Sequence, residues 1–247
     1  MKKNLLLSAL AVLFLWLAWI IAYFIVRNEY ILPSFWETIS VAARLFTQAA
    51  FWRAFGNTLL RTLWAFALSL VLGVGLAVPA CVFRGVRAFF APLISVLRTV
   101  PTLAIILVLL IWTNPRVAPV VVAVLVLMPA FYAAALAAFD EVDKGYGDLA
   151  RVFGVSRKRR VFKMYLPLAA PPVLGQAGAI LSMGLKITVS AEVLSSTYRS
   201  LGGMMQEAKI FVDMPTLLAL TVLTVVLGFL LEGACALVNS RLGRRLK

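Results

Sequence analysis

Histidine is missing from this 247-residue chain, acidic residues number only ten, and there are two cysteines. Without imidazole and with so few carboxylates, the chain has little from which to build an acid-base constellation or a metal centre. Cys81 and Cys235 each sit in an apolar run, VPACVF and GACALV, where a thiol behaves as a small hydrophobe. No CxxC or Cys-rich tract accompanies them, so neither a disulfide framework nor a metal site is expected. Charge is also scarce, at 14% of residues against roughly 25% in a soluble domain. Nor does any GxxxxGK[ST] occur, so there is no loop to cradle a nucleotide's phosphates, and no enzyme activity or bound cofactor is expected of this chain.

Apolar length is what the chain has instead. Hydrophobic residues make up 63%, mean hydropathy is +0.98, and apolar runs longer than about 18 residues recur, which is the signature of membrane-spanning helices. The expected fold class is therefore all-α, a polytopic bundle of about six transmembrane helices forming one domain over residues 1–247. A net charge of +14 would suggest nucleic acid in a soluble chain, but here the basic residues flank apolar spans, so no nucleic-acid partner is expected.

Lys2 and Lys3 precede the run Leu5 to Val26, which is too long for a signal-peptide core and reads as a retained first span. Arg27 to Arg61 is amphipathic, and Ser34 with Glu37 fits a capping box opening a short helix near the outer interface. Thr62 to Phe83 forms the second span, with Gly73, Gly75 and Pro79 as candidates for close helix packing. The third, Leu93 to Thr113, is interrupted by Arg98-Thr99-Val100-Pro101. Val117 to Phe139 is the fourth, Leu168 to Leu194 the fifth and Thr216 to Val238 the sixth.

Orientation follows from the basic residues. With both termini inside, fifteen Lys and Arg lie in cytoplasmic segments and seven outside, the bias expected of a cytoplasmic N- and C-terminus. Most of the inner charge falls in the polar loop that follows the fourth span, residues 140–167, with the run Arg157-Lys158-Arg159-Arg160. Asp148 to Phe153 is helix-compatible, Gly154 permits a sharp turn, and Ser156 can cap a second short helix through Lys163. Leu166-Pro167 then returns the chain to the membrane. Such a knuckle could dock in a partner's groove, anchor topology, or bind anionic headgroups.

Asp148, Ala150, Gly154, Leu166 and Pro167 also fall on the spacing Glu-Ala-Ala, three residues, Gly, nine residues, Ile, one residue, Leu-Pro. On these residues the chain resembles the permease subunits of ABC importers. ILPSFWETI, NTLLRTLWAFALSLVLGVGLAVPACVF, LRTVPTLA and SAEVLSSTYRSLGGMMQEAKIF, in that order, make it similar to the nitrate, sulfonate and taurine type. Four positions depart from the pattern: Asp148 stands where Glu is usual, Leu149 replaces Ala, Lys158 replaces a common aromatic and Met164 replaces Ile. Leu149 in particular suggests a dedicated partner.

The resemblance implies the type I importer fold in a bacterial inner membrane. It implies coupling to an ATPase through Asp148, Leu149, Ala150, Arg151, Gly154, Val155, Ser156, Arg157, Leu166 and Pro167. The expected partners are two copies of the ATPase, which bind ATP and Mg, a second permease copy as a homodimer, an extracytoplasmic solute-binding protein and the bilayer. An anion such as a sulfonate, taurine or nitrate is the expected solute, and aromatic vitamin precursors are the alternative. A self-powered secondary transporter fits less well, because repeated halves with broken helices are not evident.

Three intramembrane charges are candidates for the solute pathway: Arg98, Lys186 and Glu192. Arg98 could instead snorkel to the inner headgroups. Lys186 and Glu192 are six residues apart, about 240° around a helix, so they cannot pair on one face and each needs another partner. For Lys186 the alternative is an ion pair that fixes packing, and for Glu192 an interfacial position near the outer surface.

Overall fold

The computed structural model describes residues 2–245, and every described element is helical. Of the basic residues counted for orientation, Lys247 lies outside the described residues, as do the side chains of Lys2, Lys3, Arg244 and Arg245.

Helix α1 (Lys2–Val26) is apolar all round, and α2 (Phe35–Leu45) is the amphipathic helix expected outside it. Ser34 caps α2 by accepting the Glu37 N–H at 3.2 Å, the half of the capping box that satisfies an orphan donor. Trp16 and Trp19 meet the Phe35 ring edge-on, and the Trp19 indole donates to the Pro33 carbonyl at 3.2 Å. These aromatic contacts tie α1 to the start of α2.

Helix α3 (Ala49–Val82) begins well before the expected second span, because nothing in AAFWRAFGNTLLRT breaks a helix. Its 34 residues extend ~51 Å, well beyond a hydrocarbon core of about 30 Å, so one end projects into the interface. The third span is two helices, α4 (Arg84–Thr99) and α5 (Thr102–Trp112), which meet at 95°. The break has a local cause: Pro101 has no N–H to donate and pushes Val100 into an extended conformation, ψ 129°.

Helix α6 (Ala118–Val152) corrects the expected boundary of the inner loop. It runs straight through Asp140 to Val152, so the first half of that loop is the end of a 35-residue helix. After the turn at residues 153–156 comes α7 (Arg157–Arg160), then a π-helical turn (Val161–Tyr165) and α8 (Leu166–Leu194). Leu166-Pro167 therefore does not turn the chain. Residues 157–194 form one continuous helical stretch, and the widened turn falls where Pro167 cannot donate to the Lys163 carbonyl. Helices α9 (Leu201–Ile210) and α10 (Met214–Arg245) complete the fold.

Among the described residues four helices, α3, α6, the stretch containing α8, and α10, are long and apolar enough to cross a membrane. The α4–α5 pair counts as a fifth if it is one bent span, and the apolar part of α1, Leu10–Val26, is shorter. The bundle is a chain of neighbours in which α3 packs along α6, α6 along α8, and α8 along α10. At Gly73 the approach is close enough that a Cβ would sit 2.7 Å from the Met128 carbonyl oxygen and from Phe131 Cβ, so α3 needs a glycine against α6. Gly75 is different: a Cβ there meets nothing within 4 Å. Large apolar side chains such as Phe14, Trp64, Val71 and Phe229 are exposed, as a lipid-facing surface requires.

Candidate functional site

At the end of the bundle that carries the basic loop, α6 stops in a Schellman turn. Gly154 lies at φ +60°, its N–H donates to the Arg151 carbonyl at 3.0 Å, and the Val155 N–H reaches the Ala150 carbonyl at 2.9 Å. A side chain at 154 would be strained whatever the space around it, which gives the glycine of the loop motif a backbone reason. Ser156 stands at the N-cap of α7 but makes no side-chain cap bond, so the hydroxyl does not play the capping role expected of it.

The knuckle presents an unusual surface. Leu149, Val152 and Phe153 are 55%, 83% and 77% exposed at the polar end of the molecule, next to Arg151 and Arg157, while Ala150 is buried. Arg151 pairs with Asp148 at 3.2 Å, both well exposed, so that pair contributes little to stability. The knuckle is fastened behind its exposed face: the Tyr165 hydroxyl donates to Asp143 Oδ1 at 2.6 Å, joining the π-turn to the end of α6, and Arg87 forks onto both Asp140 oxygens at 2.9 Å. Leu166 and Pro167 lie at the start of α8, above the exposed surface.

The three intramembrane charges separate. Arg98 is exposed at the end of α4 and lines a cavity of about 550 Å³ with Thr102, Ala130, Gln176 and Met183. Lys186 is exposed one turn beyond Met183, with no acidic partner among the described residues and no place in that cavity. Gln176, Ala179, Met183, Lys186 and Ser190 form an exposed stripe along α8, a helix otherwise largely buried.

Glu192 is 0% exposed and fully engaged within its own chain. Its carboxylate accepts from the Arg61 guanidinium at 2.9 Å, the Thr58 hydroxyl at 2.8 Å and the Gly202 N–H at 3.2 Å. Thr58 in turn accepts the Leu201 N–H at 2.9 Å, and Asn57 donates to the Arg199 carbonyl at 2.9 Å. The partner that Glu192 needed is thus Arg61, on α3, and the knot ties α3, α8 and α9 together. Gly202 permits it, since a Cβ there would lie 2.6 Å from the Val189 carbonyl oxygen. Thr58, Arg61 and Gln176 escape a reading by residue type alone. The signal for the first two was the segment NTLLRT, whose polar residues recur on one helical face.

The family described as binding-protein-dependent transport system inner membrane component matches residues 69–244. Among curated relatives, the chain is 27% identical over 198 residues to the taurine transport system permease protein TauC of Escherichia coli (strain K12), covering 80% of this chain and 72% of that one. It is 26% identical to the glycine betaine transport system permease protein OpuAB of Bacillus subtilis (strain 168), over 59% of this chain and 52% of that one. A probable ABC transporter permease protein of Brucella melitensis biotype 1 is 26% identical, over 70% and 72%. In shape, the chain is similar to the MetNI methionine ABC transporter in an inward-facing conformation, with a TM-score of 0.60 at 19% identity, over 79% of this chain and 94% of that one. An amino acid ABC transporter gives a TM-score of 0.60 at 18% identity, over 76% and 90%.

Proposed function

The chain belongs to the family of binding-protein-dependent transport system inner membrane components, and from this we propose how its exposed inner knuckle and its cavity at Arg98 divide the work of an importer. It is a multi-pass inner-membrane protein with the type I ABC-importer permease fold, and ATP hydrolysis belongs to a separate subunit.

In our reading, residues 140–167 couple that ATPase to the bundle, with both termini on the cytoplasmic side. The observation that carries this is the apolar triad Leu149, Val152 and Phe153, left uncovered beside Arg151 and Arg157 at the polar end of the molecule. Arg157 beside it adds polar contact, and the stiff Schellman turn at Gly154 keeps the knuckle from yielding under load. Force applied there passes two ways: along α7 and the π-turn into α8, and through Tyr165–Asp143 into α6.

The uncovered stripe on α8 is the face that a second copy covers, so that two bundles enclose the path. Arg98 and Gln176 are polar groups in a cavity with mostly apolar walls, which suits a small anion. A sulfonate such as taurine, or nitrate, is the proposed solute, in keeping with the similarity to a taurine permease. The test is uptake into proteoliposomes holding the permease, its ATPase and its binding protein. Taurine or nitrate should accumulate only with ATP, and Arg98→Gln should reduce uptake about tenfold, the effect of losing one charge-assisted hydrogen bond. Equal uptake by the variant would remove Arg98 from the pathway. ATPase activity unaffected by Phe153→Asp would refute the coupling role.

A further inference from the structure

A second cavity, of about 190 Å³, lies at the inner ends of α3 and α6 and has no role in the scheme above. Arg84, Arg151, Arg157 and Arg160 line it, together with Asp143, Tyr165 and Cys81. Four guanidiniums thus face one carboxylate, and that carboxylate already accepts the Tyr165 hydroxyl at 2.6 Å. Arg151 is drawn partly outward by Asp148, and Arg157 is held over the Phe83 ring at 5.8 Å. Arg160 lies against the Tyr165 hydroxyl, but its Nε is buried without a hydrogen-bond partner. A buried guanidinium N–H without an acceptor is costly, and the missing group must be an acceptor, since Arg has only donors.

We propose that this cavity binds a phosphate group, that of an anionic phospholipid of the inner leaflet, with Arg84 and Arg160 as its principal ligands. Three observations favour a headgroup. The cavity begins at Cys81 and Val82, where a membrane-spanning helix ends, so it lies at headgroup depth. Phe83, Phe89 and Phe162 are exposed on the helix ends around it, where acyl chains would lie. Planar guanidinium forks match a phosphate's oxygens in pairs, and basic pockets between helices on the inner side are where anionic headgroups bind. The bound phosphate would join the start of α4 to α7, placing a lipid contact directly behind the knuckle.

Cys81 provides the readout. In a Cys235→Ser background it is this chain's only thiol, and a neutral maleimide, read on the permease band of the reconstituted complex with its ATPase, measures access to the cavity. Vesicles of phosphatidylglycerol with phosphatidylcholine should slow labelling about fivefold relative to phosphatidylcholine alone, the factor one basic residue contributes at an anionic surface. Arg160→Gln and Arg84→Gln should each abolish the difference between the two lipids, while Lys158→Gln, outside the cavity, should retain it. A change caused only by surface pH would persist in Arg160→Gln and overturn the proposal. So would protection that requires the ATPase but not the lipid, which would assign the cavity to a partner's carboxylate. Inorganic phosphate added to phosphatidylcholine vesicles separates the sources: protection by it, without a phosphatidylglycerol effect, keeps the phosphate site and rejects the lipid. Labelling reads binding alone, so its outcome is independent of the transport and coupling tests.

Discussion

Removing Arg61 should loosen the end of the bundle where α3, α8 and α9 meet while leaving the α3–α6 core intact. In Arg61→Met the side chain keeps its apolar length, but Glu192, 0% exposed, loses the one cation beside it among the described residues. Breaking a buried ion pair by deleting one partner costs roughly 3–5 kcal/mol, because the remaining charge is stranded. The lower end applies here: Arg61 is 17% exposed, and Glu192 retains the Thr58 hydroxyl and the Gly202 N–H. A loss of about 3 kcal/mol is therefore expected, read as a shift of the unfolding midpoint in mixed micelles titrated with a denaturing detergent. Glu192→Gln removes the charge and should rescue part of the loss, so the double variant should cost less than the sum of the single ones by about 1–2 kcal/mol. Hydrogen exchange supplies the local test, since the amides of Leu201 and Gly202 donate into this knot. They should lose protection in Arg61→Met while the α6 amides around Phe131 keep theirs. A variant within about 0.5 kcal/mol of the parent, the range of an ordinary surface change, would show that the knot does not hold α9 in place.

Two glycines on one helix should respond in opposite ways. Gly73→Ala forces a methyl into the Met128 carbonyl and should cost about 1–3 kcal/mol through overpacking, whereas Gly75→Ala meets nothing and should gain a few tenths to about 1 kcal/mol from helix propensity, both read by thermal unfolding in detergent. At Gly154 the sign of φ matters more than side-chain bulk, so Gly154→Asn should keep most ATPase stimulation and Gly154→Val should lose it; equal activity of the two would refute a backbone origin. Tyr165→Phe should weaken the link between α6 and the π-turn by about 1 kcal/mol and lower the coupling ratio of solute moved per ATP, while ATPase binding, measured by pull-down, stays unchanged.

Lipid-span content was legible in the chain because apolar runs of sufficient length have no other stable home. The short amphipathic helix was legible too, since a cap residue three positions before an acid acts within a single turn, and Ser34 does accept from Glu37. Gly154 could be read as a turn because left-handed backbone is a property of one residue. The boundaries were less accessible. A polar stretch such as Asp140 to Val152 stays helical through Gly145 and Gly147, and α6 ends only where Gly154 takes a left-handed backbone. Likewise Pro167 is absorbed by a widened turn and does not break the helix.

Which charges meet was beyond reach of the linear pattern. Lys186 and Glu192 looked alike as isolated ions in an apolar run, yet Glu192 found Arg61 more than a hundred positions away and Lys186 was left uncovered. Arg98 and Gln176 share a cavity, and Arg84 and Arg160 another, for the same reason. Apolarity, helix-breaking and capping act within a few residues and are written locally. Pairing of buried polar groups depends on which helix faces touch, and that follows from packing the whole bundle at once.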